Sequence, residues 1–164
     1  MSTGTLLTLW TVRLSCLLYV LAIAQLLTGK RWRIAWTAGF LAYLAHVVAA
    51  FAYFHGWSHE AAYRETARQT AELFGFRFGG GLYFNYAFTA IWGCDVIWSW
   101  REAAYRSRPA WITGAVHGFL AFMFFNATVV FASGWTRWTG AAATAALAIL
   151  WWRRRVTRAF SGIA

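Results

Sequence analysis

The stretch TLLTLWTVRLSCLLYVLAIAQLLTGKRWRIAWTAGFLAYLAHVVAAFAYFH, residues 5–55, decides the fold of this chain. It contains two continuously apolar runs, 5–27 and 34–55, which flank a short basic turn. Each run matches the roughly 20 helical residues that cross a hydrocarbon core about 30 Å thick. A transmembrane strand would alternate apolar and polar residues, and neither run alternates. We therefore predict two membrane-spanning helices joined by the basic turn.

The same pattern continues through the rest of the chain. Three more apolar stretches follow, at 81–100, 110–132 and 138–152, and the last is the shortest. Of the 164 residues, 60% are hydrophobic and only 12% are charged, whereas about a quarter of the residues in a soluble domain are charged. This composition excludes an ordinary soluble domain, and so much apolar surface also excludes a disordered chain. We predict an all-α polytopic integral membrane protein, a single domain built as a bundle of five transmembrane helices.

The basic residues indicate how this bundle is oriented. A five-span path places ten of the 15 Lys and Arg residues on one side of the membrane. They are Lys30, Arg31, Arg33, Arg101, Arg106, Arg108, Arg153, Arg154, Arg155 and Arg158. Because cytoplasmic loops are enriched in Lys and Arg, we predict a bacterial inner-membrane protein with its amino terminus outside and its carboxyl terminus in the cytoplasm. The net charge of +10 thus indicates a membrane rather than a nucleic-acid partner.

Many of the 12 tryptophans lie near the ends of the predicted spans. Trp32, Trp36 and Trp100 mark the inner boundary, and Trp57 and Trp135 mark the outer one. Tryptophan is enriched at both membrane–water interfaces, where it anchors helices. We therefore interpret most of the tryptophans as an aromatic belt.

The one sizeable loop lies outside in this topology and contains a predicted helix at 58–74. Ser58 is a suitable N-cap, and two pairs of opposite charges have the i,i+4 spacing that stabilises helices. The pairs are Glu60 with Arg64 and Arg68 with Glu72. We predict an external amphipathic helix that lies along the membrane surface.

Polar side chains inside the membrane are costly and are therefore the candidate functional residues. Counting about 1.5 Å per residue places four of them at one depth, slightly outward of the middle. These four are Arg13, His46, Asn85 and Asn126. Arg13 has no carboxylate at its depth, so a quinone carbonyl, a haem propionate, a lipid headgroup or a partner's carboxylate would satisfy it. The alternative is that its long side chain reaches the outer interface.

Asp95 and His117 form a second layer nearer the cytoplasm. Because they lie on adjacent spans at matching depth, we predict a carboxylate–imidazole pair. This pair could be a proton relay or a haem site, or a buried hydrogen bond that joins two helices. His46 and His117 differ in depth by roughly 7 Å, so a haem b held between these two histidines is not favoured.

A third cluster, His55, His59 and Glu60, lies at the outer surface. Two His at i,i+4 with an adjacent carboxylate could hold a metal ion if the segment formed one helix. Gly56 and Ser58 instead suggest a helix break between the two His, so this site is the less favoured alternative.

These features suggest three functions. The first is a non-catalytic subunit or accessory component of a membrane complex, with membrane lipid and other subunits or a second copy as its partners. The second is an electron-transfer subunit that binds haem b or quinone through His46, His117, Arg13, Asp95, Asn85 and Asn126. The third is a metal-dependent enzyme acting at His55, His59 and Glu60. No catalytic set of Ser, His and Asp lies at one depth, and we therefore predict no catalytic residues.

Overall fold

The computed structural model describes residues 2–161 and shows an all-helical protein, with no strand within that range. In chain order the helices are α1 (Thr3–Leu27), α2 (Arg33–Ala50), α3 (His59–Phe74), α4 (Gly81–Ser99), α5 (Glu102–Arg106), α6 (Ala110–Phe125) and α7 (Gly134–Ser161). Two π-helical turns, Phe51–His55 and Asn126–Val130, extend α2 and α6. The predicted all-α class is confirmed.

Three helical segments are long and apolar enough to cross a membrane: Thr3–Leu27, Arg33–His55 and Ala110–Val130. They agree with the predicted spans 5–27, 34–55 and 110–132 to within a few residues. Helices α4 and α7 occupy the other two predicted stretches, but polar residues lower their mean hydropathy. In α4 these include Asn85 and Asp95, and α7 runs well beyond 138–152 at both ends into segments that contain arginine. The short helix α5 was not predicted.

Helices α1 and α2 form the most extensive pair in the bundle. They approach closely at Gly39, whose carbonyl accepts a hydrogen bond of 3.0 Å from Ser15 Oγ. A Cβ atom at position 39 would lie only 3.3 Å from the side chains of Leu18 and Trp92, so this contact requires a small residue. The pair thus provides one wall on which α4 and α7 also pack.

The two ends of the bundle differ in what covers them. We call them the α3 end and the α5 end after the helix that lies at each. At the α3 end Phe74 contacts Phe131, and at the α5 end Arg154 donates a 2.7 Å hydrogen bond to the carbonyl of Leu26. Helix α7 is held tightly to the second π turn, because a Cβ on Gly140 would meet the Thr128 carbonyl at 2.5 Å.

The core of the bundle is aromatic. Trp36 and Trp92 are 0% and 1% exposed, and their ring centroids are 5.1 Å apart. Tyr19 stacks on Phe124 with centroids 4.7 Å apart and also contacts both tryptophans. The prediction that Trp32 and Trp36 belong to an aromatic belt is therefore wrong. Both side chains are buried in the core of the bundle, whereas Trp57, Trp100 and Trp135 are exposed as a belt requires.

Helix α3 has the local features expected from its sequence. Ser58 Oγ accepts a 3.2 Å hydrogen bond from the Ala61 amide, which confirms the N-cap. The ion pairs Glu60–Arg64 and Arg68–Glu72 are both present. Its buried side, Ala62, Ala67 and Thr70, lies toward the bundle, because α3 packs on α4 and on the first π turn. Helix α3 therefore covers one end of the bundle.

Candidate functional site

A cavity of about 1320 Å³ lies between α1, α2, α4 and α6, and residues of α3 form its roof. It is larger than the roughly 300–1,000 Å³ of typical ligand sites, so it has room for a molecule with a long apolar part. Four of the predicted site residues line it together: His46, His55, Asn85 and Asn126. Both π-helical turns also contribute lining residues. Such turns inside helices are frequently found at functional sites.

His46 is the histidine that α2 contributes to the cavity wall. Its Nδ1 lies 2.9 Å from the backbone carbonyl oxygen of Thr8. A carbonyl can only accept, so Nδ1 carries the hydrogen and the neutral ring presents a lone pair at Nε2. Nε2 has no hydrogen-bond partner among the residues that the structure describes. His46 is therefore held by α1 and can accept a hydrogen bond from a bound molecule.

A short chain of hydroxyl groups lies beside His46. Thr89 Oγ1 donates to the Asn85 carbonyl at 2.8 Å, and the Tyr43 hydroxyl is 3.1 Å from Thr89 Oγ1. Because the Thr89 hydrogen is already used, Tyr43 donates to Thr89 and its own oxygen keeps free lone pairs. Asn126 Nδ2 donates to the Phe122 carbonyl at 2.8 Å, which leaves its Oδ1 as an acceptor. This part of the wall therefore offers acceptors at the Tyr43 oxygen and Asn126 Oδ1, and also donors at the second Asn126 Nδ2 hydrogen and at Trp92 Nε1, which has no partner among the described residues.

Below the roof, the rest of the wall is largely aromatic, whereas the roof side carries the charged residues Arg64, Glu65, Arg68 and Arg77. Phe88 and Trp92 meet Tyr43 with ring centroids 5.0 and 5.8 Å apart, and the stacked pair of Tyr19 and Phe124 adjoins them. Aromatic rings prefer offset-stacked or edge-to-face contacts with other rings. The cavity can accordingly hold a planar ring in addition to an apolar chain.

The α5 end contains a second set of polar side chains, which bond to one another and do not line the cavity. We call this set the closed network. Asp95 is 2% exposed, and Arg108 Nη1 donates to its Oδ1 at 2.5 Å. Trp36 Nε1 donates to Oδ2 of the same carboxylate at 3.0 Å. The predicted pair of Asp95 and His117 is thus replaced by an ion pair with Arg108. Arg108 immediately precedes Pro109, at the start of α6, and its guanidinium enters the bundle there.

Tyr105 connects this ion pair to His117. Arg108 Nη2 donates to the Tyr105 hydroxyl at 3.1 Å, and the same hydroxyl lies 3.2 Å from His117 Nε2. The phenol oxygen can accept from the guanidinium while its hydrogen is donated to the imidazole. Burial raises the pKa of Tyr105 to about 12, so the phenol stays protonated at neutral pH. His117 Nδ1 is buried without a hydrogen-bond partner among residues 2–161.

The structure separates His46 from His117. His46 lines the cavity, whereas His117 does not, because it lies in the network at the α5 end. His46 and His117 therefore cannot bind one haem between them.

The outer cluster does not form a three-ligand site. His59 Nδ1 is 3.0 Å from the Tyr86 hydroxyl, and Glu60 is ion-paired with Arg64. His55 ends the π turn, and Gly56 and Trp57 follow it with positive φ angles, so the chain bends between the two His. No group of three His, Cys, Asp or Glu in the described part of the chain could hold a metal ion.

Arg13 lies apart from both polar groups. It is exposed on α1, and its guanidinium carbon lies 5.3 Å from the centroid of the Trp10 ring. It does not line the cavity, and it has no ion pair or hydrogen bond within the described residues. Arg13 therefore faces whatever surrounds the bundle.

The chain matches no family model, no curated protein and no solved structure in comparisons with known proteins. Sequence reasoning missed Tyr43, Tyr105, Trp36 and Arg108 as members of the cavity wall and the closed network. A usable signal existed for Arg108, because it follows Asp95 by 13 positions across a single short connection.

Proposed function

We propose that this protein is a non-catalytic component of a membrane assembly and that it holds a lipophilic ligand in the cavity around His46. The observation that carries this proposal is the cavity itself, which combines a hydrogen-bond acceptor at His46, an aromatic wall and space for an apolar chain. A molecule that enters such a site from a bilayer needs a small polar head and a long apolar part. Membrane lipids and lipid-soluble cofactors have this form.

The experiment is to purify the protein from its native membrane in mild detergent and to identify bound lipophilic molecules by mass spectrometry. We expect one compound that is enriched far above bulk lipid. Its amount should fall at least 10-fold in His46→Gln and should be unchanged in His59→Gln, since His59 does not line the cavity. The proposal fails if no compound is enriched or if both variants lose it equally.

A second candidate is an electron-transfer subunit in which the ligand is a quinone or a haem b. The acceptors at His46 and Tyr43 suit the hydroxyl groups of a quinol, and the donors at Trp92 Nε1 and Asn126 Nδ2 suit the carbonyl oxygens of a quinone. His46 and His55 both line the cavity, so either could supply a histidine ligand to a haem. Oxidised and dithionite-reduced absorption spectra separate these cases, because a haem gives a reduced band and a quinone changes only in the ultraviolet.

We also propose that α4 and α7 cross the membrane with the three apolar helices, giving five spans. The support is the distribution of charge, because only a five-span path collects the ten basic residues on one side. In a bacterial inner membrane this puts α3 outside and the carboxyl terminus in the cytoplasm. Single cysteines at Ser2 and Ser161, in a background without Cys16 and Cys94, should react with an impermeant reagent from opposite sides. Labelling of both from one side would exclude five spans.

A further inference from the structure

The face of α1 that points away from the bundle carries a regular stripe with one charge at its centre. The stripe consists of Leu6, Trp10, Arg13 and Leu17, which follow one another at steps of three or four residues. Such steps place side chains on one side of a helix. Trp10 and Leu17 are 62% and 66% exposed, whereas the opposite side of α1, including Ser15 and Tyr19, is buried. No other described element of this chain covers the stripe.

Arg13 lies too deep in the membrane to reach water easily. Helix α1 has 25 residues and is therefore about 37 Å long, and Arg13 lies about 3 Å from its middle. If the helix is centred in a hydrocarbon core about 30 Å thick, Arg13 lies on the order of 10 Å inside its boundary. Charged side chains at this depth usually pair with another polar or charged group. Trp10 contributes only a ring face to the guanidinium.

None of the Asp and Glu side chains of this chain is free to pair with Arg13. All five Asp and Glu side chains lie in the described range, and each forms an ion pair within the chain. Four of them belong to α3 and α5, outside the long helices, and Asp95 is buried against Arg108. A second copy of this protein would bring the same five occupied carboxylates. The anion beside Arg13 must therefore come from another molecule.

We infer that the stripe on α1 docks a transmembrane helix of a different protein, one that carries an Asp or Glu at the depth of Arg13. This inference rests on the proposed role as a component of a membrane assembly, and it states the chemistry of the partner. The apolar side chains of Leu6 and Leu17 pack on the partner helix above and below the ion pair. The partner's carboxylate neutralises the charge of Arg13, which is exposed on the outer face of α1.

The test is photo-crosslinking in the native membrane, with a photoreactive amino acid in place of Leu17. We expect a crosslink to a transmembrane peptide that contains Asp or Glu at mid-depth. The yield should fall at least 10-fold in Arg13→Leu and persist in Arg13→Lys, which keeps the charge. Arg64→Leu is the matched control, because it removes an exposed arginine of α3 and should leave the crosslink intact. Replacing the partner's carboxylate with its amide should abolish the crosslink as Arg13→Leu does.

Several outcomes would overturn the inference. Crosslinks to a second copy or to lipid alone would do so, and so would a yield that Arg13→Leu does not change. The cavity ligand is measured in the same Arg13→Leu sample and should be retained, because Arg13 does not line the cavity. If the expected crosslink did not form but the ligand was retained, only the docking inference would fail. If a specific crosslink formed but no ligand was found in the cavity, only the proposed role of the cavity would fail.

Discussion

The two polar regions inside this bundle differ in whether the group at their centre is fully bonded within the chain, although His117 Nδ1 at the α5 end also lacks a partner among the described residues. At the α5 end, Asp95 is bonded to Arg108 and Trp36, and Arg108 is bonded in turn to Tyr105. In the cavity, His46 is fixed on one side by the Thr8 carbonyl, and its other nitrogen has no partner in the described chain. A closed network of buried polar groups holds helices together, whereas polar groups on open space are available to a ligand.

This difference supports a structural role for the α5 end and the binding role that we propose for the cavity. The closed network joins α2, α4, α6 and the loop that contains α5, so it determines how four parts of the chain meet. Around the open cavity, the helices are held together by the packing of the aromatic core and not by polar contacts. Substitutions in the network should therefore change stability first, and substitutions in the cavity should change ligand content first.

The largest effect is expected for Asp95→Leu. The substitution leaves the guanidinium of Arg108, which is 6% exposed, as an uncompensated buried charge. Removing one partner of a buried ion pair typically costs about 3–5 kcal/mol, which corresponds to a decrease in Tm of roughly 10 °C for a chain of this size. Thermal unfolding of the detergent-solubilised protein measures this decrease.

The double variant Asp95→Leu/Arg108→Met is the control for that measurement. Replacing both members of a buried pair with apolar side chains is often close to neutral. We expect it to recover most of the stability that Asp95→Leu loses. If the double variant were as unstable as the single one, the ion pair would not be the cause, and the assignment of a structural role would need another basis.

A smaller effect is expected for Tyr105→Phe. The ring contact with Trp32, 5.5 Å between centroids, is kept, but the hydroxyl that bonds Arg108 and His117 is lost. Deleting one member of a buried hydrogen-bond network should cost about 1–2 kcal/mol in unfolding free energy. Tyr83→Phe is the matched control, because Tyr83 is 57% exposed and its hydroxyl bonds nothing in the described residues. Equal Tm values for both variants would show that Tyr105 does not contribute through its hydroxyl.

Much of the fold was predictable because its signals are local. Apolar run length sets α1, α2 and α6, and the basic turn after Leu27 separates the first two. The α3 helix follows from an N-cap and i,i+4 charge pairs, which depend only on residues within one or two turns. The depth of a side chain also follows from counting along a helix. His46, Asn85 and Asn126 were assigned one depth, and one cavity wall contains all three.

The remaining features depend on helix rotation, which depth alone does not define. Asp95 and His117 have similar depths, yet the carboxylate faces Arg108 and the imidazole faces Tyr105. Arg108 was counted as a flanking charge because its position in the sequence is next to a span. Trp36 was assigned to an interface for the same reason, although its ring points into the core. In each case the long-range contact that orients the side chain involves a residue from another helix or connection.

The smallest expected effect concerns the roof of the cavity and tests whether its surface charges matter for the cavity beneath. Arg68 of α3 is ion-paired with Glu65 and Glu72; Arg68 and Glu72 are exposed and Glu65 is partly exposed, and Arg68 and Glu65 are part of the cavity roof. The hydrogen bond from Arg68 lowers the pKa of Glu65 below its usual 4.5. Exposed pairs of this kind contribute little to stability. Arg68→Ala should therefore lower Tm by about 1 °C or less and leave the amount of bound ligand unchanged.

The pH dependence of that small difference has a defined sign. Because the pKa of Glu65 is lowered in the folded protein, the contribution of the pair is fully present above pH 4.5 and is lost as the pH falls through the folded value. The Tm difference between wild type and Arg68→Ala should be constant from pH 7 to pH 5 and should shrink at pH 3. A difference that already shrinks between pH 7 and pH 5 would point to a group other than Glu65. Loss of ligand in Arg68→Ala at pH 7 would mean that the roof is held by its charges, and not by the contact of Ala62, Ala67 and Thr70 with the bundle.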